Sequence, residues 1–391
     1  MNPLLNPFSP GAGSRPPELA GRENIINEAK IAIGRVIAGR SSQSQILLGL
    51  RGTGKTVLLN EIENMAENQN YLTSFVEAPD NKRLVEILYP MMRQVLRKLS
   101  GIENAKILAN QALAGLRNFA SVFKVSIGDV EIGIEGSEGV ADSGNLEIDL
   151  TEIFGLIGKA AQAAGKGWAL LIDEVQYLKN DELAAIIVSV HRISQKGLPV
   201  IVFGAGLPQI AKLSGDAKSY SERLFNYPKI DALPNEAAAA AIRNPLKDAG
   251  VEIEELALQE IIKKTGGYPF FLQEWGHHSW NVSKGSPITL CDVESATELA
   301  LTRLDDGFFK VRMDRLTGAE VEYVQAMAKL GRGPYKSTEV ASVLHRDPSA
   351  LGPRRASIIS KGMIYSPSYG EIDFTVPLFD DFLCRKMKPS A

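Results

Sequence analysis

Residues 49–56 read GLRGTGKT directly after the apolar run Ile46-Leu47-Leu48, and their types and spacing are those of a phosphate cradle. The stretch fits G-x-x-x-x-G-K-[ST] at Gly49, Gly54, Lys55 and Thr56, with Gly52 at a variable position. Small residues in such a turn let backbone N–H groups curl around the β- and γ-phosphates, and the helix opening at Lys55 adds the positive end of its dipole. Lys55 supplies a mobile point charge, and the Thr56 hydroxyl is placed to hold Mg²⁺. The strand-like SQSQILL before the turn and the helix-like VLLNEIENMAEN after it provide the strand, loop and helix that the motif requires.

A second chemical signal lies in GWALLIDEVQYL, residues 167–178. Asp173 and Glu174 end an apolar strand, where the other half of a phosphate-loop ATPase site must lie. Asp173 would order the Mg²⁺ shell, and Glu174 could orient and activate water for attack on the γ-phosphate. Arg223, in KSYSERLFNYPKI, closes a helix just before a short strand. Its guanidinium could either reach the γ-phosphate of a neighbouring subunit or pair with Glu222 or Asp216. In TGGYPFFLQEW, residues 265–275, Pro269 takes the first helical position it tolerates. Tyr268, Pro269 and Phe270 could close over an adenine ring or pack as an ordinary helix start.

Strands alternating with helices have to position these groups. The runs at 42–48, 71–77, 168–172 and 198–206 read as strands, the last two apolar without alternation, as in a parallel sheet covered on both faces. The expected class is therefore a doubly wound α/β fold with its ligands at the carboxyl ends of the strands. Residues 1–18, rich in Pro, Gly and Ser, read as an extended arm, and VFKVSIGDVEIGIE reads as a β-hairpin insertion over about 121–136. The expected division is an ATPase core over 19–231, a small helical lid over 232–314 and a C-terminal module over 315–391.

With 391 residues, 45% apolar and 23% charged, the composition is that of a soluble multidomain protein. No run approaches about 18 apolar residues and no secretory leader is evident, so a cytoplasmic location and no membrane contact are expected. The two cysteines lack metal-ligand spacing. A net charge of -3 excludes a molecule that binds nucleic acid over its whole surface.

The C-terminal module reads as three helices, in TGAEVEYVQAMAKLG, KSTEVASVLHRD and PSALGPRRASIISKGMI, followed by two strands around Ser368-Tyr369-Gly370. That order is a winged helix-turn-helix. From Arg315 onward there are 11 Lys or Arg against 8 Asp or Glu. Arg354, Arg355 and Lys361 sit on or at the end of the third helix, which enters the major groove in such folds, so they are candidate DNA contacts.

Taken together, LAGREN (19–24), GLRGTGKT, LLIDEVQYL, VFGAG and TGGYPFFLQ resemble the AAA+ ATPases related to Orc1/Cdc6 initiators and to the STAND regulatory NTPases. The resemblance covers about residues 16–385. It implies ATP as the nucleotide, held by Gly49, Arg51, Gly52, Thr53, Gly54, Lys55, Thr56 and Val57, with Leu19, Ala20, Gly21, Arg22, Tyr268 and Pro269 near the adenine. It also implies Arg223 in the place of an arginine finger. The sequence departs from the initiator pattern where the strand ends in Phe203-Gly204-Ala205 rather than Asn, Ser or Thr, and where no arginine follows Pro269. These departures lean towards slow turnover. The expectation is an ATPase that couples nucleotide state to a winged helix on DNA. The rival is a STAND-type switch whose winged helix meets a protein partner. Homo-oligomer formation is open.

Overall fold

The apolar runs between helical stretches become strands of one parallel sheet. The computed structural model describes the chain apart from residues 12, 14, 15, 79–81, 126–138 and 388–391. Its strands β1 (Ser44–Leu48), β2 (Tyr71–Glu77), β3 (Gly167–Asp173), β4 (Val200–Gly206) and β5 (Phe225–Asn226) lie in the order β2-β3-β4-β1-β5. Every residue of β1 and β3 is buried, which accounts for their lack of polar alternation. The accompanying helices are α1 (Glu23–Ile37), α2 (Lys55–Asn68), α3 (Leu84–Ser100), α4 (Lys106–Val122), α5 (Leu146–Ala163), α6 (Asn180–Gln195), α7 (Ile210–Ala217) and α8 (Ser221–Leu224). Asn145 starts α5 by accepting the N–H groups of Glu147 and Ile148 on its side chain. Inside, the Trp168 ring meets Phe154 edge-on at 4.8 Å while its indole N–H donates to Ser74 Oγ, so a bulky polar-tipped ring is buried with its donor satisfied.

The hairpin expected over about 121–136 is corrected where it can be followed. Ser121 and Val122 complete α4, and the Phe123 N–H caps it on the Phe119 carbonyl. Phe119 and Phe123 are four residues apart and their rings meet at 4.8 Å, a pairing of helical spacing at the end of α4. Residues 126–138 lie outside the described residues.

The chain forms two compact units: residues 24–49 with 55–229, which carry the sheet, and residues 1–23 with 50–54 and 230–391. The second unit contains α9 (Asn235–Asp248), α10 (Glu255–Thr265), α11 (Pro269–Val282), α12 (Leu290–Leu304), α13 (Lys310–Met313), α14 (Gly318–Lys329), α15 (Ser337–Val343), α16 (Gly352–Ser360) and α17 (Phe379–Met387). A three-stranded antiparallel sheet, ordered β6 (Tyr335–Lys336), β8 (Glu371–Phe374), β7 (Ile364–Tyr365), completes it.

One hydrophobic core runs from Leu233 to Leu383, across the segments read from sequence as separate lid and C-terminal module. Phe308 stacks on Phe270 at the start of α11, and the next residue, Phe309, stacks on Phe382 of α17. Residues 305–309 take a wider, π-helical turn, which is the local irregularity that lets neighbouring aromatic rings reach two different helices. The N-terminal segment is not simply an extended arm. Phe8 is 2% exposed and packs in this core, the Asn6 amide donates to the His277 carbonyl and to Asn281 Oδ1, and the Trp280 indole donates to the Asn2 carbonyl.

Glu320 joins α14 to α16. It closes a capping box with Thr317, and its carboxylate accepts from Ser357 Oγ at 2.7 Å and Lys361 Nζ at 2.6 Å. Burial alone would raise this carboxyl, but the Lys361, Ser357 and Thr317 donors outweigh it and hold the carboxyl down at about 2. A depressed folded-state value stabilises the protein above the unfolded value of about 4.3, and that stability is lost as pH falls towards 2. Glu320→Gln is therefore expected to destabilise this unit at pH 7 by up to about 3 kcal/mol. Thermal unfolding should show the deficit at pH 7 and a smaller one at pH 3. An equal deficit at both would contradict the assignment.

Candidate functional site

In the sheet-bearing unit the strand ends decide the geometry. Leu48 of β1 lies level with Gly206 of β4, and Ile172 of β3 lies level with Gly204. The Gly49 N–H donates to the Gly206 carbonyl at 3.0 Å, so the chain leaves β1 beside the ends of β4 and β3. Lys55, only 7% exposed, folds back to donate from Nζ to the Gly49 carbonyl at 2.9 Å. Thr56, one residue into α2, donates from Oγ1 to Asp173 Oδ2 at 2.6 Å. Val57 follows it in α2, half-buried.

Burial pushes the Asp173 carboxyl up from its ordinary range. The Thr56 hydroxyl and the Glu174 N–H oppose that rise, as does the nearby Lys55 charge. The Glu174 N–H reaches Asp173 Oδ1 at 2.8 Å. Glu174 itself has left-handed backbone angles, φ 54° and ψ 41°, a conformation that costs a non-glycine residue on the order of 1 kcal/mol or more. The side-chain amide of Gln176 donates to Glu174 Oε2, and its oxygen accepts the Leu207 N–H at 3.1 Å.

In the other unit, residues 50–54 are fastened through their main chain. Gly52 and Gly54 have φ values of 81° and 89°, which only glycine adopts without strain. The Thr53 hydroxyl donates to the Leu50 carbonyl, the Phe270 N–H to the Gly52 carbonyl at 3.2 Å, and the Arg51 N–H to the Thr375 carbonyl at 2.9 Å. The Arg22 guanidinium, 8% exposed, donates to the carbonyls of Thr53 at 3.3 Å and Asp231 at 2.5 Å. Burial pulls it down from its usual range, against Asp231 and Glu23. Arg22, expected near the adenine, is thus committed to main-chain oxygens. Ala20 is buried, Leu19 half-buried, and Gly21 has φ 70°. Tyr268 caps α11 and Pro269 is its first residue. The Tyr268 hydroxyl is pushed up by burial and by Asp231 and Asp373.

The remaining candidates divide. Arg223 is exposed on α8 and has no ion pair among the described residues, with neither Glu222 nor Asp216. The three candidate DNA contacts are engaged within their own module. Arg354 faces Glu322 at 3.9 Å, Arg355 donates to Ser337 Oγ at 2.9 Å, and Lys361 is bound to Glu320 and to the Arg315 carbonyl. Two contributors were not singled out from the sequence. Gln176 follows the acidic pair by two residues, a polar side chain in an apolar run, which is a visible signal. Thr375 acts through its carbonyl, which leaves no trace in residue type.

Lys55→Ala is expected to weaken ATP binding by about a hundredfold or more, since it removes a charge-assisted donor from the phosphate turn. Calorimetry that returned the parental affinity would contradict the role given to Lys55.

Residues 18–203 match the family model described as an AAA ATPase domain, and residues 306–383 match one described as a domain of unknown function. Among solved structures, the Walker-type ATPase of Pyrococcus abyssi superposes with a TM-score of 0.61 at 14% identity, covering 97% of this chain and 99% of that one. The RuvB Holliday junction branch migration motor of Thermotoga maritima gives 0.48 at 15% identity, covering 93% and 96%. The Orc1 protein of Aeropyrum pernix, solved in complex with DNA, gives 0.44 at 13% identity, covering 95% and 94%. No curated protein sequence matches the chain, and among the described residues no helix is long and apolar enough to cross a membrane. The Pyrococcus likeness speaks to fold alone, and with the five-stranded parallel sheet, its flanking helices and the phosphate loop it identifies the architecture as the phosphate-loop AAA+ fold.

Proposed function

We propose that the chain binds ATP with Mg²⁺ and hydrolyses it. The observation that carries this reading is the hydrogen bond from Thr56 Oγ1 to Asp173 Oδ2, with Glu174 beside it at the strand end. Hydroxyl and carboxylate oxygens are the hard donors that suit Mg²⁺, and a carboxyl raised by burial is one that a divalent cation would stabilise in its ionised form. Thr56 and Asp173 would hold the ion, which supplies charge neutralisation across the phosphates. Lys55 would bind phosphate oxygen. Glu174 would accept a proton from water as the water oxygen bonds to the γ-phosphorus and the bond to the ADP oxygen breaks.

The second half of the proposal is that nucleotide state reaches a C-terminal winged helix-turn-helix, made of α14–α16 with β6–β8. Support comes from the fastening of residues 51 and 52: Gly52 to Phe270 at the start of α11, and Arg51 to Thr375 just beyond β8. Because α11 and the C-terminal helices share one core through Phe308 and Phe309, a change at the loop has a packed route to the module. The internal pairing of Arg354, Arg355 and Lys361 favours a switch whose output is intramolecular or directed at a protein. The net positive charge from Arg315 onward supports the alternative, DNA.

Glu174→Gln is expected to keep ATP affinity and slow hydrolysis by about a hundredfold or more. A parental rate would remove Glu174 from the reaction. The exposure of the Arg223 side chain supports action on a neighbouring subunit's phosphate. Arg223→Ala mixed with Glu174→Gln should then recover part of the activity each lacks alone, and no recovery with a monomeric mass in ATP would argue against it. For the output, salt-titrated DNA binding by an Arg354→Ala/Arg355→Ala variant separates the two readings. A switch predicts an unchanged salt slope and altered nucleotide exchange. A groove-bound helix predicts weaker binding, with the slope reduced by about 0.9 for each phosphate no longer neutralised.

A further inference from the structure

Strand β4 ends Gly204-Ala205-Gly206, with no polar side chain to offer. The loop after β3 lies over its glycine face. A Cβ added at Gly206 would come 2.8 Å from Gln176 Oε1, and one added at Gly204 would come 3.1 Å from Val175 Cγ2. Gly206 thus makes room for the amide of Gln176, in the turn after β3, and Gly204 for the Val175 side chain. That amide has two ends in use: its nitrogen donates to Glu174 Oε2, and its oxygen accepts the Leu207 N–H where the chain leaves β4.

We infer that Gln176 is the positioning residue for Glu174, tying the water-activating carboxylate to the end of β4. The inference rests on the ATPase reading above. Glu174 stands in a strained left-handed conformation, and an unrestrained carboxylate on such a backbone would sample several rotamers. Gln176 selects one by anchoring to the main-chain N–H of Leu207, just past the end of the central strand β4. The glycine at 206 is then a requirement of the site: alanine there would displace the amide from its acceptor position. A displacement of about 1 Å in a reacting group is enough to lower a rate severely.

The test compares Gln176→Ala and Gln176→Met, the second keeping side-chain length and packing without the amide, with Gly206→Ala and the Gln176→Ala/Gly206→Ala double variant. Each single variant is expected to lower kcat about tenfold while the ATP dissociation constant stays within about twofold. The double variant should be no slower than the slower single one, because both changes remove the same hydrogen bond. Without nucleotide, amide exchange at Leu207 should quicken in both Gln176 variants, which reports the missing acceptor independently of turnover. Faster Leu207 exchange with parental kcat would overturn the inference, leaving Gln176 a loop anchor, as would additive effects in the double variant. A Glu174→Gln control distinguishes the levels. If it is slow while Gln176→Ala and Gln176→Met are not, the positioning role alone fails. If it too hydrolyses at the parental rate, the hydrolysis reading fails and the positioning role with it.

Discussion

The hydrogen bond between Thr56 and Asp173 is the constraint on which the site depends. These residues sit on opposite sides of β4, at the start of the helix after β1 and at the end of β3. They meet because parallel strands end in step, Leu48 opposite Gly206 and Ile172 opposite Gly204. A one-residue slip in either pairing would turn every side chain to the other face of the sheet and separate them. The full burial of β1 and β3 makes such a slip costly, so the hydrophobic packing of the sheet is what holds a hydroxyl and a carboxylate at bonding distance.

From that point the arrangement is built largely from main-chain groups. Carbonyls of residues 49, 52 and 53 accept from Lys55, Phe270 and Arg22, and the Arg51 N–H donates to Thr375. Such hydrogen bonds are insensitive to side-chain identity at the acceptor and sensitive to backbone conformation. Phe308 and Phe309, adjacent in sequence, pack in two directions, onto Phe270 beside the loop and onto Phe382 in α17.

Charge has a different meaning in the folded C-terminal segment than in its composition. The excess of Lys and Arg there reads as an external surface for an anion. In the structure Lys361 neutralises a buried carboxylate, Arg355 ties α16 to α15, and Arg354 faces Glu322. A buried carboxylate such as Glu320 needs a cation and hydrogen-bond donors. The local requirement of the fold thus draws on residues that composition alone assigns to a ligand.

The parallel α/β class, the phosphate turn and the acidic strand end are all legible in the order of residues. Each is a local pattern: an unbroken apolar run for a strand buried on both faces, glycines where φ must be positive, Lys-Thr at a helix start. Periodicity and turn residues likewise point to α14–α16 and to the strands β7 and β8, but not to β6 or α17. Long-range folding settles what local pattern cannot encode. Phe123 belongs to a helix end because its ring meets Phe119, although the following residues alternate like a strand. Phe8 is core, though the segment around it reads as an extended arm. Arg22 serves two carbonyls, Thr375 acts through its own carbonyl, and Gln176 finds its partner N–H across a glycine strand end. These depend on partners far away in the chain and often on main-chain atoms common to every residue, so no residue type announces them before the backbone has folded.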